Sequence, residues 1–121
     1  MKILLADDDP KVLMIIKLWL ERYNHNITTV SNGRLALETL TEGNYDVLIS
    51  DVNMPLMKGY DLVKNALQLP SAPALTILLT SRCDTKQLTE QINSERVCVF
   101  SKPFSPIKLT ELINKLELNK T

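Results

Sequence analysis

Four carboxylates stand where short apolar runs end. Asp7, Asp8 and Asp9 follow Ile3 to Ala6, and Asp51 follows Val47, Leu48, Ile49 and Ser50. Two further runs end in polar groups: Leu75 to Leu79 in Thr80-Ser81, and Val97 to Phe100 in Ser101-Lys102. Carboxylates brought to one point repel; a pair about 4 Å apart at an effective dielectric near 20 costs roughly 4 kcal/mol. Such a group persists only where protons or a cation neutralise it. Oxygen donors without His or Cys suit a hard divalent ion such as Mg²⁺, which keeps several waters and is often shared with a phosphoryl group. Lys102 would add a compact positive charge, and Thr80 a hydroxyl donor, for an anion held beside that metal.

The apolar pattern alternates between two periods, and this is what brings the run ends together. The unbroken runs read as strands buried on both faces. Ile27 to Val30 makes a further short strand. Between the strands, apolar residues recur at helical spacing. Asp9 and Pro10 form a cap and first turn for Val12, Leu13, Ile16, Trp19, Leu20 and Tyr23, a helix that should stop near Asn24. Asn32 caps a helix through Leu35, Ala36, Leu37 and Leu40, with Gly43 as its stop. A loop with Pro55 and Gly59 leads to a helix through Leu62, Val63, Ala66 and Leu67. Asp84 caps one through Leu88 and Ile92. Ser105 and Pro106 open the last, with Leu109, Leu112, Ile113 and Leu116 inward. Strands alternating with helices imply βαβ units, right-handed crossovers and one doubly wound five-stranded parallel sheet with helices on both faces. In such a sheet ligands bind outside the carboxyl ends of the strands, where the four acids, Thr80 and Lys102 stand. A flavodoxin-like phosphate site there is excluded, since three carboxylates would repel a bare phosphate.

Composition narrows the classes. The 121 residues fit one domain, 1–121, and 45% hydrophobic with 23% charged residues rules out a disordered chain. Fourteen Lys and Arg balance fourteen Asp and Glu, so no global basic field exists to gather nucleic acid or an anionic membrane. No apolar run approaches the roughly 18 residues of a membrane span. The start, MKILLADDD, does not read as a secretory signal. Cys83 and Cys98 lack CxxC spacing and read as inert free thiols in a reducing cytoplasm.

The segments KILLADDDP, ISDVNMPLMKGYDL, ILLTS and FSKPF, in this order and spacing, resemble response-regulator receiver domains over essentially the whole chain. The resemblance implies a flavodoxin-like strand order 2-1-3-4-5. It implies that Asp51 is the phospho-acceptor and that Asp7 and Asp8 hold Mg²⁺ together with Asp51 and the backbone carbonyl of Asn53. Thr80 and Lys102 would contact the phosphoryl group, and Lys102-Pro103 would be a cis bond. The implied partners are a sensor histidine kinase or histidine phosphotransfer protein and an unknown output partner. No nucleic acid or membrane is implied for the domain itself. Carboxylate nucleophiles do form acyl phosphates, and phosphoryl transfer is mostly positioning and charge neutralisation.

Plainer roles account for other residues. Asp9 is a helix cap, His25 a solvated loop residue, and Trp19 and Tyr23 core. Met54 and Pro55 shape the loop after Asp51. Met14, Ile15 and Leu18 lie off the main apolar stripe of their helix, either as a partly exposed strip beside which a kinase docks or packed under a neighbour. Three features depart from the family: Val99 replaces the usual aromatic, Glu95-Arg96 the usual Gly-Ala, and Arg82 stands where phosphoryl lifetime is tuned. By strand parity Val99 and Phe100 point oppositely, with Phe100 in the core and Val99 toward the helix around Leu88. The leading function is a phosphorylation-dependent signalling switch, not an enzyme beyond its own phosphorylation and dephosphorylation. A haloacid-dehalogenase-type phosphatase would need an acid where Asn53 stands. A docking receiver that is never phosphorylated would not need the full set of acids, hydroxyl and lysine.

Overall fold

The computed structural model describes residues 1–54, 56–80, 96–101 and 105–119. The elements are β1 (Lys2–Ala6), α1 (Pro10–Glu21), β2 (Asn26–Val30), α2 (Gly33–Glu42), β3 (Val47–Asp51), α3 (Gly59–Leu67), β4 (Leu75–Thr80), β5 (Val97–Ser101) and α4 (Pro106–Asn119). All strand pairs are parallel and the order is β2-β1-β3-β4-β5, as the resemblance implies. The helix expected around Leu88 and Ile92 lies outside the described residues.

Strand alternation sorts the core into two layers. Ile3, Leu5, Ile27, Val47, Ile49, Leu75, Ile77 and Leu79 face Ile16 and Leu20 of α1 and Leu109 and Ile113 of α4. On the other face, Leu4, Ala6 and Leu48 meet Ala36 and Leu40 of α2 and Leu62 and Ala66 of α3. Leu78 continues this second layer with Val52 and Val63. Strands β1, β3 and β4 lie inside the sheet and are apolar on both faces, which explains why their runs are continuous. Parity separates the two β5 residues as expected. Phe100 is half-buried against the α1/α4 layer, and Val99 packs with Val63 and Leu78.

The helix ends follow local chemistry. Asp9 Oδ1 accepts from the Lys11 N–H at 2.9 Å, and Pro10 takes the first turn. Asn32 Oδ1 accepts from the Leu35 N–H at 2.8 Å. Lys58 caps α3 without a side-chain bond, and Asp61 places an acid in the first turn. Gly43 ends α2 in extended backbone (φ −126°, ψ 174°), so its role is not the left-handed cap expected of a terminal glycine. Asn24 takes that conformation after α1, at φ 66°.

Three side chains differ from the sequence reading. Tyr23, expected in the core, is 45% exposed, because α1 ends two residues before it and the helical stripe no longer applies. Its ring leans on Trp19, 6.3 Å between centroids. His25, expected in solvent, is buried: it follows the left-handed turn at Asn24, and its Nδ1 accepts from the N-terminal amine at 3.0 Å. Leu35 is exposed on α2. Two long-range bonds were not legible. The Trp19 indole N–H donates to Thr110 Oγ1 at 2.5 Å, and that hydroxyl donates to the Pro106 carbonyl at 2.8 Å, joining α1 to α4. Arg96, one of the departures from the family, donates to the Pro73 carbonyl at 2.9 Å and ties the entry to β5 to the loop before β4.

Candidate functional site

The β1–β3 register pairs Ala6 with Ser50. The next residue on each strand is therefore an acid, Asp7 beside Asp51, at the carboxyl edge of the sheet. Both are buried, at 1% and 7% exposure, while Asp8 is exposed. The Asp7 N–H donates to the Val30 carbonyl at 3.2 Å, and its Oδ1 accepts from the Asp9 N–H at 2.9 Å. These bonds hold Asp7 at the sheet edge and turn the chain so that Asp8 rejoins it. One carboxylate oxygen from each of Asp7, Asp8 and Asp51 lies within 4.8 Å of the others. Asp9 stands apart as the α1 cap.

The loop after β3 is drawn tight against Asp51. The Val52 N–H donates to the Leu79 carbonyl at 3.0 Å, and the Gly59 N–H to the Val52 carbonyl at 2.8 Å. A Cβ at Gly59 would lie 2.5 Å from the Asp51 carbonyl oxygen, so only glycine admits this approach. Asn53 is exposed at the front of the loop, and Met54 is buried in the α2/α3 layer. On the next strand β4 pairs Leu79 with Asp51, and Thr80 extends one residue beyond. Thr80 is buried, and its Oγ1 has no hydrogen-bond partner among the described residues. That hydroxyl is a donor available to a ligand. The β4–β5 register pairs Thr80 with Ser101, the residue before Lys102. Lys102 itself lies outside the described residues, as do Pro55, Arg82, Cys83, Pro103 and the bond expected to be cis.

The structure brings Asp7, Asp8 and Asp51 together at the strand ends and sets Thr80 at the end of β4, where the sequence pattern put them, while Asn53 lies in the loop two residues past β3. Sequence reading missed the close packing at Gly59, whose only signal was a glycine in the first turn of a helix, where it weakens helix formation. Away from the site, burial pushes the Cys98 thiol above its ordinary value.

The profile of the family described as the response regulator receiver domain matches residues 3–114. This chain belongs to the receiver domain family. It is 29% identical over 106 residues to response regulator GtcR of Aneurinibacillus migulanus, covering 88% of this chain and 43% of that protein. It is 32% identical over 118 residues to the probable transcriptional regulator ycf29 of Pyropia yezoensis, covering 95% and 52%. The chain thus spans about half the length of these curated relatives. Among solved structures, the Francisella response regulator 1452 receiver domain matches with TM-score 0.82 and 28% identity, over 99% of this chain and 98% of that one. The chemotaxis response regulator CheY4 of Vibrio cholerae matches with TM-score 0.81 and 27% identity, over 95% and 97%. Receiver domains are the signalling switches of two-component response regulators, not enzymes in the usual sense, and they bind Mg²⁺ at the acidic cluster. No helix among this receiver's described residues is long and apolar enough to cross a membrane.

Proposed function

We propose that residues 1–121 form one receiver domain that is phosphorylated on Asp51 and thereby changes its affinity for a partner. The observation that carries this reading is the convergence of the Asp7, Asp8 and Asp51 carboxylates within 4.8 Å at the carboxyl edge of the sheet. An Asp51 carboxylate oxygen attacks the phosphorus of a phosphohistidine on a sensor kinase or phosphotransfer protein. A P–O bond forms, giving an acyl phosphate, and the P–N bond breaks. The imidazole nitrogen leaves with the bonding pair, and because the other ring nitrogen of the phosphohistidine carries a proton, the leaving group is neutral imidazole.

The donor set suits a hard cation, since every group is an oxygen and no His or Cys joins the cluster among the described residues. Asp7, Asp8, Asp51 and the Asn53 carbonyl would hold Mg²⁺, which would supply charge neutralisation for the incoming phosphoryl oxygens. Thr80 is assigned the hydroxyl donor to those oxygens, in keeping with its buried Oγ1. Lys102, one residue past Ser101, is assigned the pairing cation. Met14, Ile15 and Leu18, at 57%, 56% and 59% exposure, form the apolar strip on α1 that meets the phosphodonor protein. The domain is assigned to the cytoplasm.

Incubation with Mg²⁺ and acetyl phosphate, followed by intact-mass spectrometry, tests the assignment. One added phosphoryl group is expected on the wild-type chain and none on Asp51→Asn. Phosphorylation that survives in Asp51→Asn overturns it.

A further inference from the structure

The loop after β3 is also held by the start of α2. A Cβ built on Gly33, the first residue of α2, would lie 2.0 Å from the Met57 carbonyl oxygen, 2.8 Å from its carbon and 2.9 Å from its Cβ. The first two neighbours are backbone and cannot swing aside as a side-chain end can. Two residues beyond Met57, Gly59 makes the corresponding approach to the Asp51 carbonyl and to the Val52 Cα, at 2.5 and 2.8 Å for an added Cβ. The segment Met57-Lys58-Gly59 is therefore wedged between α2 and the backbone of Asp51, with a glycine at each face. Met54 adds a second tie between the loop and α2, being buried beside Ala36 and Leu40. Ala36 and Leu40 of α2 are fully buried against Leu4, Ala6 and Leu48 of the sheet, so α2 cannot easily recede from the loop.

We propose that Gly33 is a positioning residue for Asp51, setting the depth at which the Met57–Gly59 segment seats on the Asp51 backbone and so the reach of its carboxylate. This rests on the reading of Asp51 as the phospho-acceptor beside Mg²⁺. Any side chain at position 33 displaces the Met57 peptide, and the displacement passes through Lys58 to Gly59 and the Asp51 carbonyl. Gly33 carries no functional group and sits outside the acidic cluster, so it acts only through the wedge. Misplacement of a reacting group by about 1 Å can cost about 10²-fold in rate.

The test compares Gly33→Ala with Gly43→Ala in the full chain. Position 43 is at the other end of α2, where a Cβ would meet the edge of the Tyr45 ring at 2.9 Å. Both substitutions crowd an end of α2, but only the first lies against the wedge. The Mg²⁺ dissociation constant and the acetyl-phosphate phosphorylation rate at saturating Mg²⁺ are measured where each variant is folded by circular dichroism. Gly33→Ala is expected to be phosphorylated about tenfold more slowly or worse, with weaker Mg²⁺ binding, and Gly43→Ala to match wild type. A merely structural role would lower the melting temperature of both and leave the folded-state rate unchanged. Should Gly33→Ala not fold, Met57→Gly is compared with Gly33→Ala/Met57→Gly, in which the side-chain clash is gone and glycine lets the Met57 peptide shift away from the methyl; that shift is then expected to keep the double variant slower. A folded Gly33→Ala, or that double variant relative to Met57→Gly, reacting at an unchanged rate while Asp51→Asn is inert, overturns the positioning role alone. A wild-type chain that neither binds Mg²⁺ nor is phosphorylated overturns the reading of the acidic cluster, and the positioning role with it.

Discussion

Neutralising Asp51 should stabilise the protein when no divalent cation is present. Asp7 and Asp51 are both buried and carry oxygens within 4.8 Å of each other. At that separation and an effective dielectric near 20, two unit charges repel by about 3.5 kcal/mol. Delocalisation over two oxygens and water reaching the exposed Asp8 reduce what the fold experiences to about 1–2 kcal/mol. For a domain of this size that corresponds to a melting temperature roughly 4–8 °C higher in Asp51→Asn than in wild type, in EDTA. Mg²⁺ relieves the same repulsion, so its effect and that of the substitution should overlap. Saturating Mg²⁺ should raise the wild-type melting temperature clearly and that of Asp51→Asn much less. Thermal denaturation followed by circular dichroism, with and without Mg²⁺, measures all four values. If Asp51→Asn melts no higher than wild type in EDTA, or gains as much from Mg²⁺, the carboxylates do not oppose one another and the electrostatic argument fails.

Further outcomes are expected from features outside the cluster. Leu18→Glu should leave acetyl-phosphate phosphorylation unchanged while slowing phosphotransfer from a cognate kinase; unchanged phosphotransfer would remove the α1 strip as a docking surface. Trp19→Phe should cost about 1–3 kcal/mol, since it leaves Thr110 Oγ1 without its indole donor; adding Thr110→Val should cost less than the two single losses combined, as read by urea denaturation of the four proteins. Cys98 has a raised thiol value because burial disfavours the thiolate. Its folded-state thiol thus stays protonated where the unfolded thiol ionises, so stability is full below the ordinary value of 9.0 and falls as pH rises through and beyond it. Cys98→Ala should flatten that alkaline decline, and a decline of equal slope in both proteins would refute the cause.

The sheet and the acidic cluster were legible in the sequence because they rest on local signals. Continuous apolar runs mark strands covered on both faces, and parity then fixes which residue stands at each carboxyl end. The α1 and α2 starts were legible in Asp9-Pro10 and Asn32. What escaped lies between distant segments. Trp19 and Thr110 are 91 residues apart and each looks ordinary alone. His25 reads as a loop residue until the turn at Asn24 brings it to the N-terminal amine, 24 residues away in sequence. Tyr23 continues a helical stripe on paper, but the helix has already ended. Gly33 and Gly59 look like common glycines near helix starts, and only the distances to Met57 and Asp51 give them a role.

The strand order also has a bearing on how the sheet can be laid down as the chain is made. After β1 and β2 have paired, β3 joins the free side of β1, and β4 and β5 follow on that same growing edge in chain order. No strand has to be inserted between two that are already paired. The three carboxylates are all present once residue 51 has joined, whereas Thr80 and the Lys102 assigned to the phosphoryl group arrive with the last two strands. A nascent sheet of three strands therefore gathers its negative charge before either of those groups can reach it, and the Mg²⁺ proposed for Asp7, Asp8 and Asp51 would ease assembly from that step onward.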